Sequence, residues 1–437
     1  MTAAVTLIAL VAFSPLWVET DAYRFAWLVA CVLAAVHFFG VEIRRPDRLH
    51  LGLAAYLCMG WAVYVALRYG IYAIAQDRLV VGSAEEIYLF AGLYSTSGYA
   101  VFLARRHLGW LVPALVFLTT AKLGAAFPTV ELAGAQGVDV LFANNSIHAS
   151  LMCALLLVIH AGFALHIIRT KHRWAWTTSF LVFLTVFNIS GCLFYIIVLN
   201  SKGVWLALFL VLPPVLLSTV WMLGRSRDRV YGFVAVFFAL ALSAAAYLSH
   251  ERIVSVAGPT AERGLSLLIG LVRSETPMEL LRSSAEDPAI PASARVRLQL
   301  TLDSLDLIAA KPLFGWGPEW ADAWQNRTYF EYPYRLLHNS VLEVAVRHGL
   351  FGLAFYGFIL AWALAQMFRA SGDALVPREV PQTAAVALAL FFIASLTNSH
   401  IRLAIGESFM WAFVAIGFAC FYARQAAGRA ERVTRDP

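Results

Sequence analysis

His338 and Asn339 stand side by side, with Ser340 behind them, where a long polar stretch of the chain runs into an apolar one. A histidine ring changes charge near neutral pH, at a pKa of about 6.5, so it can exchange protons with a substrate under working conditions. The amide beside it can hydrogen-bond the ring or a bound hydroxyl. Gly349 follows eleven residues after the histidine. Upstream stands Lys311-Pro312-Leu313-Phe314-Gly315-Trp316-Gly317-Pro318, and further back Asn200-Ser201-Lys202-Gly203 opens another apolar run. Basic residues of this part of the chain include Lys202, Arg263, Arg297, Arg335, Arg347 and Arg402. Such groups can hold anionic oxygens, arginine through paired N–H donors.

The elements that must position these residues follow from composition. Of 437 residues, 60% are apolar and 14% charged, with a mean hydropathy of +0.71. A helix crossing a bilayer needs about 20 mostly apolar residues. Twelve such segments are predicted, near 3–18, 25–40, 51–68, 86–104, 108–126, 146–168, 174–198, 203–223, 230–248, 341–367, 382–398 and 404–423. The first lacks the basic flank of a cleaved signal and reads as a retained helix. The fold class is an all-α polytopic membrane protein. Its three parts are nine helices (1–248), one long, partly helical loop (249–338) and three helices with a basic tail (339–437).

Arginine placement orients the chain. With both termini in the cytoplasm, the inner segments carry Arg44, Arg45 and Arg48, then Arg105 and Arg106, then Arg169, Lys171 and Arg173, and the tail carries Arg424, Arg429, Arg432 and Arg435. Short outer loops carry few, as retention of basic residues on the cytoplasmic face requires. The net charge of +6 is mostly this sidedness and gives no reason to expect nucleic acid. The five cysteines fall inside predicted spans, which argues against a disulfide framework or a zinc site. No nucleotide-binding fingerprint is present, so ATP-driven transport is not encoded.

The loop at 249–338 is too apolar for disorder, and loops longer than about 15 residues are usually functional or disordered. Thr276-Pro277-Met278-Glu279 reads as a capping box with Pro at the first helical position. From Arg295 to Ala310, Leu298, Leu302, Leu305 and Ala309 form one stripe, with Asp303 and Asp306 elsewhere, as in an amphipathic helix. The loop is expected to form a lid or wall over a site at the outer membrane surface.

Ser201-Lys202-Gly203 at the head of a span, Arg297 fifteen residues before Pro312-Leu313-Phe314-Gly315-Trp316-Gly317, then His338-Asn339 and Gly349, together resemble the O-antigen ligase and polymerase superfamily, and the size, span number and single long loop look more like the ligase. Lys202 stands where that family usually has Arg, and Thr301 where Trp is common. The resemblance implies a glycosyltransferase of the bacterial inner membrane with its site facing the periplasm, inverting, and needing no metal or other cofactor. The donor would be O-antigen polysaccharide on undecaprenyl diphosphate, the acceptor a sugar hydroxyl of lipid A-core oligosaccharide, both embedded among membrane lipids. His338 would be the general base, Asn339 its neighbour that positions ring or hydroxyl, and Lys202 and Arg297 the cations on the diphosphate, with Arg263, Arg335, Arg347 and Arg402 in support.

Other readings stay open from sequence. Lys202 and Arg402 can be interfacial residues that snorkel, Arg297 a solvated face of its helix, and Arg263, Arg335 and Arg347 structural. The Pro-Leu-Phe-Gly-Trp-Gly-Pro run reads as a rigid turn that gives shape, with Glu319 after it able to orient His338. Arg68 and Lys122, charged residues inside or at the end of spans, fit a cavity open to the outside that takes a diphosphate. His148, His160 and His166 read as structural. A polymerase joining two lipid-linked glycans would carry the same residues, and a transporter or flippase of such glycans would need the cations without the base.

Overall fold

A computed structural model of the chain describes residues 10–45, 48–76, 86–126, 141–170, 176–225, 269–329 and 336–435, with isolated positions at 8, 247, 251, 262, 264, 266 and 267. The described residues fold into helices and connecting turns. Those that build the bundle are α1 (Ala22–His37), α2 (Gly52–Ala75), α3 (Tyr94–Ala104), α4 (Leu108–Ala126), α5 (Ser146–Thr170), α6 (Trp176–Leu199) and α7 (Lys202–Arg225). Three short helices follow, α8 (Pro277–Glu286), α9 (Ala292–Ala310) and α10 (Trp320–Gln325), before α11 (Ser340–Gly372), α12 (Glu379–Ser395) and α13 (Ala404–Arg435). Eight helices among the described residues are long and apolar enough to cross a membrane, and α7 and α12 contribute shorter apolar stretches. The chain is therefore a multi-pass membrane protein. The span expected at 230–248 lies outside the described residues. That expected at 3–18 does so for the most part, and its described end closes in a 3-10 turn at Ser14–Leu16.

Association of helices in lipid depends on close packing and buried polar contacts, since the tails are as apolar as the side chains. α13 is the buried centre. Trp411 lies flat against Trp27 of α1 at 5.6 Å and donates from Nε1 to Ser97 Oγ of α3 at 2.6 Å. Gly98 of α3 sits against Phe418 and Ala415, and Gly417 against Ala363 of α11, so that small residues let the backbones approach. In a second group, Asn188 of α6 donates to Val116 O of α4 at 2.9 Å and faces His160 Nε2 of α5 at 3.1 Å. His148 pairs with Glu19 at 2.8 Å, and His166 lies 3.6 Å from Glu379. All three histidines thus join elements of the bundle.

The bundle has two rims of charge. At one lie Arg24–Glu407 (2.6 Å) and the Glu19–His148 pair, at the ends where α11 and α13 begin. At the other, Glu42 holds Arg429 (2.8 Å) and Arg169 holds Glu379 (2.9 Å). Arg45 and Arg169, placed on the inner side by their sequence context, fall at the second rim, opposite His338.

The long loop folds onto the first rim. Leu300, Trp320, Trp324 and Leu337 pack with Val346 of α11, and Tyr72 of α2 donates to Asp322 at 2.7 Å. The expected stripe on α9 holds at Leu302, 1% exposed, but the buried face is otherwise rotated from it. Asp303 is 2% exposed and Leu300 1%, while Ala309 is exposed. Asp303 faces inward because the backbone N–H groups of Thr328 and Tyr329 donate to it (3.2 and 3.4 Å) and Arg327 lies at 3.7 Å, contacts made by a segment 25 residues away. The helix after Thr276 begins with Pro277 as expected, but the Thr276 side chain makes no capping hydrogen bond.

Candidate active site

α11 begins at the site and is broken one quarter of the way along. Gly349 has φ 64° and ψ −159°, a conformation open in practice to glycine alone, and it interrupts the helical hydrogen bonds. The Lys311–Gly317 turn replaces them. Leu350 N donates to Pro312 O (2.9 Å), Phe351 N to Leu313 O (3.0 Å), and Trp316 N to Val346 O (2.8 Å). Gly315, at φ 62°, lies directly on the Arg347 carbonyl, where a Cβ would have no room. Arg68 of α2 locks the turn by donating to Phe314 O (2.5 Å), Gly315 O (3.0 Å) and Tyr64 Oη (2.8 Å). The motif is thus a clasp on a broken helix, giving shape as the sequence indicated. Three expectations change. Arg68 is spent on carbonyls of this clasp instead of facing a diphosphate cavity, and Glu319 pairs with Lys311 at 2.5 Å, not with His338. Lys122 is 4% exposed inside the bundle with its ammonium 3.9 Å from Met152 Sδ, which is not a position in an open cavity.

The same end of α11 carries His338. Asn339 caps the helix, its Oδ1 accepting from Val341 N (2.9 Å) and Leu342 N (3.2 Å). One residue earlier the backbone of His338 is left-handed, φ 52°, a strained state for a non-glycine residue that costs of order 1–3 kcal/mol. Leu337, 2% exposed in the loop core, and the cap on the other side hold it there. Across from the ring lies the turn between α12 and α13, whose Asn398 Oδ1 is 3.2 Å from His338 Nδ1. Ser340 Oγ donates to Asn398 O (3.1 Å), which joins the two segments a second time.

Beneath them is a buried ion cluster. Glu343, 0% exposed, accepts from Arg347 Nε and Arg402 at 2.9 Å each and from Ser399 Oγ at 3.2 Å. The Arg347 guanidinium lies over the Trp320 ring at 4.0 Å. Charges this deep need partners, and the cluster supplies them. Arg347 and Arg402 are thereby brought together under His338, tied to a carboxylate. Sequence reasoning missed Glu343 and Asn398. Glu343 and Arg347 stand four apart in an apolar run, a spacing that places them on one helix face, whereas Asn398 lies 60 residues from His338 with no motif to mark it.

Lys202 opens α7, and Arg297 stands on α9. α6 and α7 are joined by Asn200 and Ser201 alone, with Asn200 left-handed at φ 47°, so Lys202 is the first residue of α7. Gly203 beside it lies against Thr397, the neighbour of Asn398. A cation at a helix N-terminus is disfavoured by the helix dipole. Arg297 projects from the exposed face of α9, near enough to act on His338 by charge. Burial pulls the His338 pKa below its ordinary value, and Arg297 pulls the same way, while the Asn398 bond and Glu343 oppose them. The shift favours the neutral ring, the form that can accept a proton. Arg263 and Arg335 lie outside the described residues.

The described residues hold no group of three or more His, Cys, Asp or Glu placed to bind a metal ion. No curated protein matches the chain. The family model described as O-antigen ligase matches residues 187–357, from α6 through the clasp and His338 into α11, and in this stretch the chain is similar to the O-antigen ligase superfamily.

Proposed function

We propose that the protein is a glycosyltransferase that moves O-antigen polysaccharide from undecaprenyl diphosphate to a sugar hydroxyl of lipid A-core oligosaccharide, at the periplasmic side of the bacterial inner membrane. The observation that carries this reading is His338, held in strained backbone at the start of α11 with Asn398 Oδ1 3.2 Å from its ring and Arg297 near enough to act on it by charge. His338 takes the proton of the acceptor hydroxyl as its oxygen bonds to the anomeric carbon. The bond from that carbon to the phosphate oxygen breaks, and its electron pair leaves with the diphosphate. Attack from the face opposite the leaving group inverts the anomeric centre, in keeping with the family resemblance.

The negative charge released is met by Lys202, Arg297 and the positive ends of the two helices. Arg347 and Arg402 support the floor of the site through Glu343, a role nearer to the structural reading of these residues. Asn339 contributes through its cap, which sets the direction in which His338 leaves the helix. Both lipid-tailed substrates reach the site from the bilayer.

Purified protein reconstituted with lipid-linked glycan and core acceptor tests the proposal directly. Ligated product with chelator present is expected, and a strict need for a divalent ion refutes the metal-free mechanism. Cells lacking the gene discriminate between relatives. Long glycan left on the lipid carrier fits a missing ligase, a single repeat on the core a missing polymerase, and lipid-linked glycan confined to the inner leaflet a missing flippase.

A further inference from the structure

Asn398 lies beyond the 187–357 stretch that matches the family model, yet its side chain is 3.2 Å from the ring of His338. Which of its two amide atoms faces the ring is decided by a neighbour. Ser399 N, a backbone group that can only donate, lies 2.9 Å from the same atom that meets His338, so that atom is the carbonyl oxygen. An oxygen that already accepts one N–H cannot donate to the imidazole. The hydrogen in the contact must therefore sit on Nδ1 of the ring, and a neutral ring with its hydrogen on Nδ1 keeps its basic lone pair on Nε2.

We infer that Asn398 is the positioning residue of the reaction, fixing His338 in the Nδ1–H tautomer so that Nε2 is the atom that receives the acceptor's proton. The inference rests on the reading of His338 as the base. The turn that carries Asn398 is itself fastened: its carbonyl accepts from Ser340 Oγ at 3.1 Å, Ile401 N donates to the same hydroxyl at 3.2 Å, and Ser399 Oγ reaches Glu343. Asn398 is 6% exposed, so the contact is made away from bulk water. The choice of amide over carboxylate has a consequence. A carboxylate at this distance would stabilise the imidazolium and raise the ring's pKa, whereas an amide orients the ring with a smaller effect on its basicity. The other charged groups that act on the ring are Arg297 from α9, which disfavours its protonation, and Glu343 from α11, which favours it and is held by Arg347 and Arg402.

The test compares wild type, His338→Ala, Asn398→Ala and Asn398→Asp in reconstituted transfer, with kcat and donor KM followed from pH 5 to 9, and with ¹⁵N-labelled histidine read by NMR. Asn398→Ala is expected to lower kcat about 10- to 100-fold, the usual cost of losing the partner that orients a working histidine, with donor KM little changed. Asn398→Asp is expected to move the acid limb of the profile upward by about one pH unit or more, a readout that a purely structural role would leave in place. The His338 signal should report hydrogen on Nδ1 in the wild type and lose that preference in Asn398→Ala. Loss of turnover in His338→Ala together with full rate in Asn398→Ala, an unmoved acid limb in Asn398→Asp, or an Nε2–H signal in the wild type overturns the inference. Undiminished turnover in His338→Ala instead removes the base reading, and the inference about the reaction falls with it.

Discussion

Replacing Glu343 by Gln removes the carboxylate on which two buried arginines depend, and the cost can be worked from the geometry. Glu343 and Arg347 are both 0% exposed, Arg402 is 10% exposed, and each guanidinium lies 2.9 Å from Oε1 of the same carboxylate. Breaking a buried ion pair by deleting one partner costs about 3–5 kcal/mol, because the remaining charge keeps its desolvation penalty. Here two charges lose their partner at once, which puts Glu343→Gln at or above the upper end of that range. Set against total stabilities of about 5–15 kcal/mol, such a loss is large. Arg402→Met removes one charge-assisted hydrogen bond and leaves Arg347 on its carboxylate, so its expected cost is nearer to about 1.5–3 kcal/mol. Equilibrium unfolding in detergent micelles, followed by circular dichroism across an SDS titration, measures both. The reasoning is refuted if Glu343→Gln is no less stable than Arg402→Met, for then the carboxylate does not carry the pair.

Further outcomes follow from the same geometry. Because burial and Arg297 hold the His338 pKa below its ordinary value of about 6.5, transfer should stay near its maximum through neutral pH and fall only as pH drops below that value; an acid limb above 7 would contradict it. His400 is buried and neutral, with its pKa pushed down to about 3, so the unfolded chain binds a proton there before the folded one does. Its contribution to stability is present above about pH 6.5 and lost as pH falls from there toward 3, and His400→Gln should flatten the unfolding midpoint between pH 7 and 5. Gly349→Ala places a Cβ against the Leu313 carbonyl at a φ of 64° and should destabilise the protein by more than about 1 kcal/mol in the same SDS titration. Lys202→Arg should retain transfer and Lys202→Met lose about 10²–10³ in rate, measured at saturating acceptor.

Much of the frame was legible because lipid imposes it. Runs of about 20 apolar residues must be helices in a bilayer, whatever else the sequence says, and Arg45 and Arg169 indicated the rim opposite His338 before any contact was known. For the candidate site, sequence offered residues clustered along the chain: Lys202 at a helix start, Arg297, the clasp motif and His338. What sequence could not give is what depends on partners far away in it. Asp303 was read as solvent-facing because an acid normally is, and only the N–H groups of Thr328 and Tyr329 make its burial tolerable. Arg68 was read as a cavity charge because nothing in α2 announces the carbonyls of Phe314 and Gly315. Asn398 carries no signature at all, since a lone amide after an apolar helix reads as an ordinary helix end.

The proposed transfer depends on proton removal by one imidazole, that of His338. Single-turnover transfer by His338→Ala, paired with equilibrium binding of the lipid diphosphate donor to the same preparation, separates that step from substrate capture. A fall in the transfer rate of about 10²–10⁴ with donor affinity unchanged is the predicted result. Transfer at the wild-type rate, or a loss that donor binding alone accounts for, would contradict it.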